Sequence, residues 1–217
     1  AYGMSENCAY SHCNRPGQRK VGSVGITMPG ADCKISEEGE ILVKSHCTML
    51  GYYKELEKTK ETITEDGYLR TGDMGEIDEE GYLKITGRIK ELFKTDKGKY
   101  VAPAPIELEL SKNVLIAQIC VVGNNLKQPI ALIVLEEGLE LSKEEIEESL
   151  VQTLKEVNAT LDNHERIAKF VILKDAWTVE NNLITPTMKV KRNVLEKQFD
   201  EDFLKWQGKK DIKVIWE

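Results

Sequence analysis

The sequence at residues 68–73 is Tyr68-Leu69-Arg70-Thr71-Gly72-Asp73, an apolar strand segment followed by a glycine and a carboxylate. An aspartate just after a strand is well placed to accept two hydrogen bonds from a ribose diol, because an ionised carboxylate has two acceptor oxygens. Gly87-Arg88 ends the next predicted strand, where the arginine could contact the same ribose or a phosphate. A tight turn in which Asp73 accepts from backbone donors explains the same residues. Local chemistry alone leaves both interpretations open.

The residues around this stretch predict the fold class. Before residue 88, short apolar runs alternate with turns such as Glu37-Glu38-Gly39 and Glu79-Glu80-Gly81, a pattern typical of a small antiparallel sheet or barrel. Beyond residue 88, two β-branched runs, Ile116 to Val122 and Ile130 to Leu135, flank Gly123-Asn124-Asn125 and predict a hairpin. The sequence therefore predicts strands in the first part and a mixture of helices and strands in the second.

Helices are predicted mainly after residue 88. Ser142 and Glu145 have the spacing of a capping box. Apolar residues then recur at the spacing of one helix face, at Ile146, Leu150, Leu154, Val157 and Leu161. A single terminal helix is predicted from Val194 to Trp206.

These patterns predict an α+β fold with two domains. Residues 1–88 are expected to form a small antiparallel β subdomain, and residues 89–217 a compact α+β C-terminal domain. The 217 residues are enough to bury a core. Their net charge of -7 argues against nucleic-acid binding through a basic surface. No run approaches the roughly 20 apolar residues that span a bilayer.

Two further polar clusters are candidates for chemistry. Tyr2-Gly3-Met4-Ser5-Glu6 offers a glycine for close backbone approach, a hydroxyl for an anion and a carboxylate for a hard cation. Thr185 to Arg192 contains basic residues in a polar loop, where a lysine can reach a carboxylate and a phosphate together. Taken singly, the first cluster is equally an ordinary polar loop and the second a solvated basic stretch.

Taken together and in this order, the clusters resemble the later core motifs of the adenylate-forming superfamily, which contains acyl-CoA synthetases, peptide-synthetase adenylation domains and luciferases. Tyr2 to Glu6 is similar to its aromatic-Gly-x-Thr/Ser-Glu motif, and Gly39 to Tyr53 to its GE-L…GY segment. Tyr68 to Asp73 matches its Y-x-x-T-G-D motif, and Gly87 to Pro103 its hinge motif and the sequence that follows. Lys189 occupies the place of the C-terminal catalytic lysine.

The resemblance implies roles for individual residues. It places Tyr2 against the adenine of ATP, Ser5 at the α-phosphate, and Glu6 at Mg²⁺. It assigns Asp73 and Arg88 to the ribose hydroxyls. It makes Lys90 the hinge about which the small domain rotates between two half-reactions. Lys189 would bridge the acyl carboxylate and ATP in the first half-reaction, and the loop containing Gly98 would line the path of CoA in the second.

Details of the motifs indicate a subgroup. Gly87-Arg88-Ile89-Lys90-Glu91 and Thr185-Pro186-Thr187-Met188-Lys189 resemble long-chain fatty acyl-CoA synthetases most closely. Many relatives have Ser-Gly before the lysine, where this chain has Thr187-Met188, and Lys191 is an alternative candidate two residues further on. The Lys-x-x-Arg register favours Lys189.

The resemblance also implies partners and a longer parent protein. Fatty acid, ATP and CoA are the expected small-molecule substrates, and the expected location is the cytoplasm, with peripheral membrane contact left open. The family's phosphate loop should precede Tyr2, so we expect this chain to be the C-terminal piece of a longer enzyme and inactive alone. Two alternatives stay open: a carrier-protein thiol or another acceptor instead of CoA, and a non-catalytic interaction module that retains the fold.

Overall fold

The computed structural model describes residues 1–209 and 211–217. These residues form two compact units, residues 1–90 and residues 91–217. The division falls after Lys90, close to the boundary predicted after Arg88. Each unit has its own sheet and its own apolar core.

The first unit is a six-stranded sheet in which every neighbouring pair is antiparallel. The strands are β1 (His12–Cys13), β2 (Gly25–Thr27), β3 (Ala31–Ile35), β4 (Glu40–Ser45), β5 (Leu69–Ile77) and β6 (Tyr82–Arg88). Their order in the sheet is β1-β2-β6-β5-β4-β3. Helix α1 (Leu56–Thr62) and a 3₁₀-helix at Ser5–Asn7 complete the unit. Ile41, Val43 and Leu83 are fully buried and form its core.

The turns of this sheet follow from its glycines. Gly39 and Gly81 have φ values of 84° and 82°, in the left-handed region that residues with a Cβ rarely occupy. Each ends a turn that the sequence predicted between two strands. The antiparallel sheet expected for the first part of the chain is thus present.

The second unit contains a hairpin, a four-stranded sheet and four α-helices among its described residues. Its elements are β7 (Phe93–Lys94), β8 (Tyr100–Val101), α2 (Pro103–Leu110), β9 (Ile116–Val122), β10 (Ile130–Leu135), α3 (Lys143–Thr160), β11 (Phe170–Ile172), α4 (Arg192–Gln198), α5 (Asp200–Gly208) and β12 (Val214–Trp216). Strands β7 and β8 pair only with each other, and the larger sheet has the order β12-β11-β10-β9. The pair β9–β10 is antiparallel, which confirms the predicted hairpin, whereas β10–β11 and β11–β12 are parallel.

Side chains from β9 and β10 enter two cores on opposite faces of this sheet. Val121 and Ile133 pack into the core that includes residues of α2 and α3. Cys120 and Leu132 pack into the other core, which includes Leu195 of α4 and residues of α5. Neighbouring residues of a strand point to opposite faces, so a strand covered on both sides needs a continuous apolar run. This explains the uninterrupted β-branched pattern of the two strands.

Helix α3 confirms the predicted cap, and α4 and α5 correct the predicted terminal helix. Ser142 accepts from the Glu145 N–H, Glu145 accepts from the Ser142 N–H, and the apolar face of α3 is buried. The predicted helix from Val194 to Trp206 is instead two helices, broken at Phe199, whose φ and ψ are -110° and 14°. The Phe199 ring packs 5.6 Å from the ring of Trp206, so core packing favours the break.

The α+β fold class is confirmed by these elements. Within the described residues, no helix combines the length and the apolar character that are needed to cross a bilayer.

Candidate functional site

Asp73 and Arg88 face each other across two neighbouring strands. Asp73 of β5 pairs directly with Arg88 at the end of β6. The sequence placed Asp73 just beyond the end of a strand, and this was wrong, because β5 continues to Ile77. Residues 71–73 form a bulge that interrupts the pairing of β5 with β4, but the bulge does not end the strand.

The Asp73 carboxylate is held from both sides. Arg88 Nε lies 2.9 Å from Oδ1, and the Tyr2 hydroxyl donates to Oδ2 at 2.7 Å. The Asp73 side chain is 11% exposed, whereas that of Arg88 is 52% exposed. Burial, together with the Asp73 carboxylate, raises the pKa of the Tyr2 hydroxyl above its ordinary value, so Tyr2 remains a donor at neutral pH. Each carboxylate oxygen has two lone pairs and can therefore accept one more hydrogen bond.

Glu40 supports the bulge that carries Asp73, and its role was missed in the sequence. Thr71, Gly72 and Asp73 all lie opposite the single residue Ile41 of β4. The Gly72 N–H donates to Oε1 of Glu40 at 3.0 Å, and Oε2 accepts from Arg70 at 3.1 Å. Glu40 is part of the motif segment Gly39-Glu40-Ile41, but the sequence does not show that its carboxylate binds the Gly72 N–H.

Ser5 and Glu6 lie in a second cluster, on the 3₁₀-helix Ser5–Asn7. Oε1 of Glu6 accepts from the Tyr52 hydroxyl at 2.8 Å, and the Glu6 carbonyl accepts from the Met49 N–H at 2.7 Å. Ser5 is exposed. Tyr52 belongs to the Gly-Tyr segment of the motif series, and its contact with Glu6 was also missed.

Gly3 is required by close packing within this segment. A Cβ at residue 3 would lie 2.4 Å from backbone atoms of Ala9. The sequence predicted a close backbone approach at this glycine, and the approaching backbone belongs to the chain itself.

Glu6 offers one carboxylate that could serve as a ligand for Mg²⁺. Magnesium is commonly bound by one or two carboxylates together with substrate phosphates and water. Across the described residues, three or more metal-binding side chains do not come together anywhere. Glu6, half-buried and oriented by Tyr52, therefore suits a single carboxylate ligand rather than a complete protein cage.

Lys189 lies on the second leg of a tight hairpin in the second unit. Ile184 and Val190 form an antiparallel bridge, and the Thr185 N–H donates to the Lys189 carbonyl at 2.8 Å. The Thr185 hydroxyl accepts from the Lys189 N–H at 3.1 Å. Met188 occupies the left-handed region with φ 61°, at the position where the family often has glycine. The Lys189 side chain is exposed beside this turn.

The neighbouring basic residues have other partners. The ammonium of Lys191 donates to the side-chain oxygen of Asn182. Arg192 forms an ion pair with Glu107, in which Nη1 and Oε1 are 2.7 Å apart. Of the three cations, Lys189 is the one that is exposed at the turn.

Gly98 and Lys90 are both in exposed turns. Gly98, in the turn between β7 and β8, has φ 72°, and its N–H donates to the Thr95 carbonyl at 2.9 Å. This turn geometry explains the glycine without a ligand. Lys90 is exposed in the 3₁₀-helix Ile89–Glu91, and the two compact units divide directly after it.

The predicted site residues thus form separate groups in the structure. Tyr2, Asp73 and Arg88 are in direct contact, and Ser5 and Glu6 belong to the neighbouring cluster of the same unit. Lys189 and Gly98 lie on two different hairpins of the second unit. The expected contacts of these residues with adenine, ribose, phosphate and CoA stay predictions.

Comparison with known proteins identifies relatives of this chain. A family model described as AMP-binding enzyme C-terminal domain matches residues 91–205. Long-chain-fatty-acid–CoA ligase FadD15 of Mycobacterium bovis is 35% identical over 219 residues, covering 93% of this chain and 36% of that protein. Long-chain-fatty-acid–CoA ligase 5 of Mus musculus is 31% identical, covering 92% of this chain and 34% of that protein. This chain therefore spans about a third of the length of these curated relatives.

A solved structure also has a similar fold. The crystal structure of ATP-bound MatB from Rhodopseudomonas palustris is 27% identical and has a TM-score of 0.71, with 92% of this chain and 40% of that chain covered. The family match extends over more than half of this chain. The resemblance indicated by the sequence motifs is thus confirmed, and the chain belongs to the AMP-binding enzyme family.

Proposed function

We propose that this chain is the C-terminal part of an ATP-dependent long-chain fatty acyl-CoA synthetase. Such an enzyme first forms an acyl-adenylate and pyrophosphate from the acid and ATP, and then transfers the acyl group to the thiol of CoA with release of AMP. The names of the curated relatives and the ATP-bound structural relative support this proposal. The observation that carries it is the Asp73 carboxylate, held between Arg88 and Tyr2 in the first unit.

Asp73 and Arg88 bind the ribose of ATP in this proposal. The carboxylate is buried and already oriented, so its remaining lone pairs point in fixed directions. A fixed pair of acceptors recognises a vicinal diol with little loss of conformational freedom. Arg88 is half exposed, so its outer guanidinium nitrogens can donate to a ribose oxygen or a phosphate.

Ser5 and Glu6 act on the phosphates. The Ser5 hydroxyl donates to an α-phosphate oxygen, and the Glu6 carboxylate, oriented by Tyr52, provides one ligand for Mg²⁺. A Mg²⁺ ion held there would supply positive charge next to the phosphates. The chain's own contribution is to hold one hydroxyl and one carboxylate on the same short helical turn.

Lys189 supplies the cation of the adenylation step. A lysine ammonium at the end of a flexible side chain can contact the acyl carboxylate and ATP together. It stabilises the negative charge that is redistributed as the acyl oxygen attacks the α-phosphate. Rotation about Lys90 then replaces Lys189 by the loop that contains Gly98, which opens a path for the CoA thiol.

The decisive test compares two neighbouring lysines in the full-length protein that carries this sequence. Lys189→Ala is expected to lower fatty-acid-dependent ATP–pyrophosphate exchange by about a hundredfold, as for other preorganised electrostatic contacts. Lys191→Ala is the matched control, because it removes the same charge two residues away, from a side chain bound to Asn182. Exchange in that variant is expected to stay within about threefold of the parent. Equal activity of the two variants would contradict the assignment of Lys189.

The extent of the chain and the acceptor can be tested separately. The isolated 217-residue chain is expected to show no pyrophosphate exchange, because it contains no sequence similar to the family's phosphate loop. Exchange near the level of the full-length enzyme would refute that part of the proposal. For the acceptor, thioester formation with CoA is compared with that on a phosphopantetheinyl carrier protein, and a preference for the carrier would replace CoA as the proposed substrate.

A further inference from the structure

Arg192 follows the Lys189 hairpin, but its side chain points into the protein. It is the first residue of α4, and its side chain is 14% exposed. Its guanidinium binds Glu107 of α2 through two contacts, Nη1 to Oε1 at 2.7 Å and Nη2 to Oε2 at 3.1 Å. Nη1 also donates to the carbonyl of Val121 and to Sγ of Cys120, the latter at 3.2 Å. Four acceptor atoms thus surround one side chain.

Glu107 completes a closed arrangement with the same strand. Its Oε1 accepts from the Val121 N–H at 2.6 Å, while the Val121 carbonyl accepts from Arg192. The backbone N–H and carbonyl of one β9 residue are therefore both bound by a single guanidinium–carboxylate pair. This arrangement ties α2, β9 and the start of α4 together in one orientation.

The electrostatic environment keeps this pair charged. Burial lowers the pKa of Arg192, but Cys120, Glu107 and Glu91 act in the opposite direction, and the resulting pKa lies above its ordinary value. The charge is then available for the paired contacts with Glu107 throughout the physiological pH range.

The base of the Lys189 hairpin is fixed by this pair and by the apolar core. On the first leg, Leu183 and Ile184 are buried in the core beside β9 and β10. On the second leg, the Lys191 N–H donates to the Leu183 carbonyl at 2.8 Å, and Arg192 follows immediately. The tip of the hairpin is exposed, so the direction of Lys189 depends on these anchors at the base.

We propose that Arg192 is a positioning residue that orients the Lys189 hairpin for the adenylation step. A buried ion pair is weak evidence for stability, because apolar residues of similar volume often stabilise a fold as well or better. What apolar residues lack is directional bonding, and the Arg192–Glu107 pair has two parallel hydrogen bonds and two contacts to fixed atoms of β9. The role of Lys189 in this inference rests on the proposed function.

The test uses Arg192→Lys in the full-length protein that carries this chain. Lysine keeps the positive charge but cannot donate in parallel to both oxygens of Glu107. A displacement of about 1 Å at a reacting group can lower a rate about a hundredfold. ATP–pyrophosphate exchange is therefore expected to fall at least tenfold, while thioester formation from preformed acyl-adenylate stays within about twofold of the parent.

The control is Lys205→Gln, which breaks the exposed ion pair of Lys205 with Asp202 in the same unit. It is expected to leave both half-reactions within about twofold of the parent, because exposed pairs of this kind contribute little. Glu107→Gln is a second test variant that keeps an acceptor for the Val121 N–H, and the same selective loss in exchange is expected. An equal loss in both half-reactions for Arg192→Lys would show a general structural role and overturn the proposal.

A measurement independent of catalysis separates this inference from the proposed function. In Arg192→Lys, amide hydrogen exchange is expected to become at least about tenfold faster in residues 184–190 and to remain unchanged in β10. Unchanged exchange in residues 184–190 would overturn the positioning role. If Lys189→Ala retained full pyrophosphate exchange, the proposed role of Lys189 would fail, and hydrogen exchange would still decide whether Arg192 anchors the hairpin.

Discussion

Replacement of Glu40 tests how the Asp73 bulge is held. Three residues of β5 face only Ile41 of β4, so the Gly72 N–H is not in a regular ladder position. It donates instead to Glu40, which is 5% exposed and also binds Arg70. We predict that Glu40→Ala destabilises the bulge strongly and that Glu40→Gln does so weakly.

The two contacts of Glu40 give the expected magnitudes. A hydrogen bond to a charged group contributes about 1.5–3 kcal/mol. The Arg70 side chain is 50% exposed, so its ion pair with Glu40 contributes at most about 1 kcal/mol. Glutamine keeps an amide oxygen for the Gly72 N–H. We therefore expect a local loss of about 3 kcal/mol for Glu40→Ala and about 1 kcal/mol for Glu40→Gln.

Native-state hydrogen exchange at the Gly72 amide measures this loss directly. Since about 1.4 kcal/mol corresponds to a tenfold change, exchange is expected to become about a hundredfold faster in Glu40→Ala and about fivefold faster in Glu40→Gln. Glu38→Ala is the control, because Glu38 lies in the same turn but its exposed side chain accepts from the Ser36 hydroxyl and not from Gly72. Unchanged exchange at Gly72 in Glu40→Ala, or an equal increase in Glu38→Ala, would refute the reasoning.

Two further predictions concern pH and backbone strain. Burial between Ser11 and Thr27 lowers the pKa of His12 to about 4, so between about pH 6.5 and 4 the unfolded chain binds more protons than the folded one. The free energy of unfolding, measured with urea, should therefore fall by up to about 2 kcal/mol from pH 7 to pH 5. If a His12→Gln variant kept the full pH dependence, His12 would not be its cause. Met188 has φ 61° and is 70% exposed, so Met188→Gly should relieve strain without loss of packing. The free energy of unfolding is expected to rise by about 0.5 kcal/mol, after the entropic cost of glycine's greater freedom in the unfolded chain is subtracted. A loss of stability on urea unfolding would show that the turn is unstrained.

The parts of the fold that were predicted correctly depend on neighbouring residues in the chain. The hairpin of β9 and β10 is indicated by two β-branched runs around Gly123, and the start of α3 by Ser142 and Glu145. In each case the residues that predict the feature lie close to it in the sequence. The break at Phe199 was missed because it depends on the Trp206 ring, and local helical spacing continues through it.

The candidate site was predictable in its chemical groups but not in its geometry. Asp73 and Arg88 were expected to contact the same ribose, but their direct contact with each other depends on the register between β5 and β6. That register is shifted by an irregularity between Met74 and Gly75, next to the pair of Asp73 and Arg88. A single sequence contains no direct signal for such a shift, because the residues involved form no continuous pattern.

Three of the candidate site residues are held in position by other residues, which are called their supports. Glu6 is oriented by Tyr52, Asp73 by the Glu40-supported bulge, and Lys189 by the hairpin that ends at Arg192. The supports are not at equal risk from substitution. Tyr52 and Glu40 each act through one or two hydrogen bonds, whereas Arg192 bonds to four atoms in two other elements. The planar fork of this guanidinium bonds in parallel to both oxygens of Glu107 and also reaches two atoms of β9, a geometry that lysine does not reproduce. Among these supports, the pair of Arg192 and Glu107 should therefore be the least tolerant of conservative exchange, even though neither residue is expected to touch a substrate.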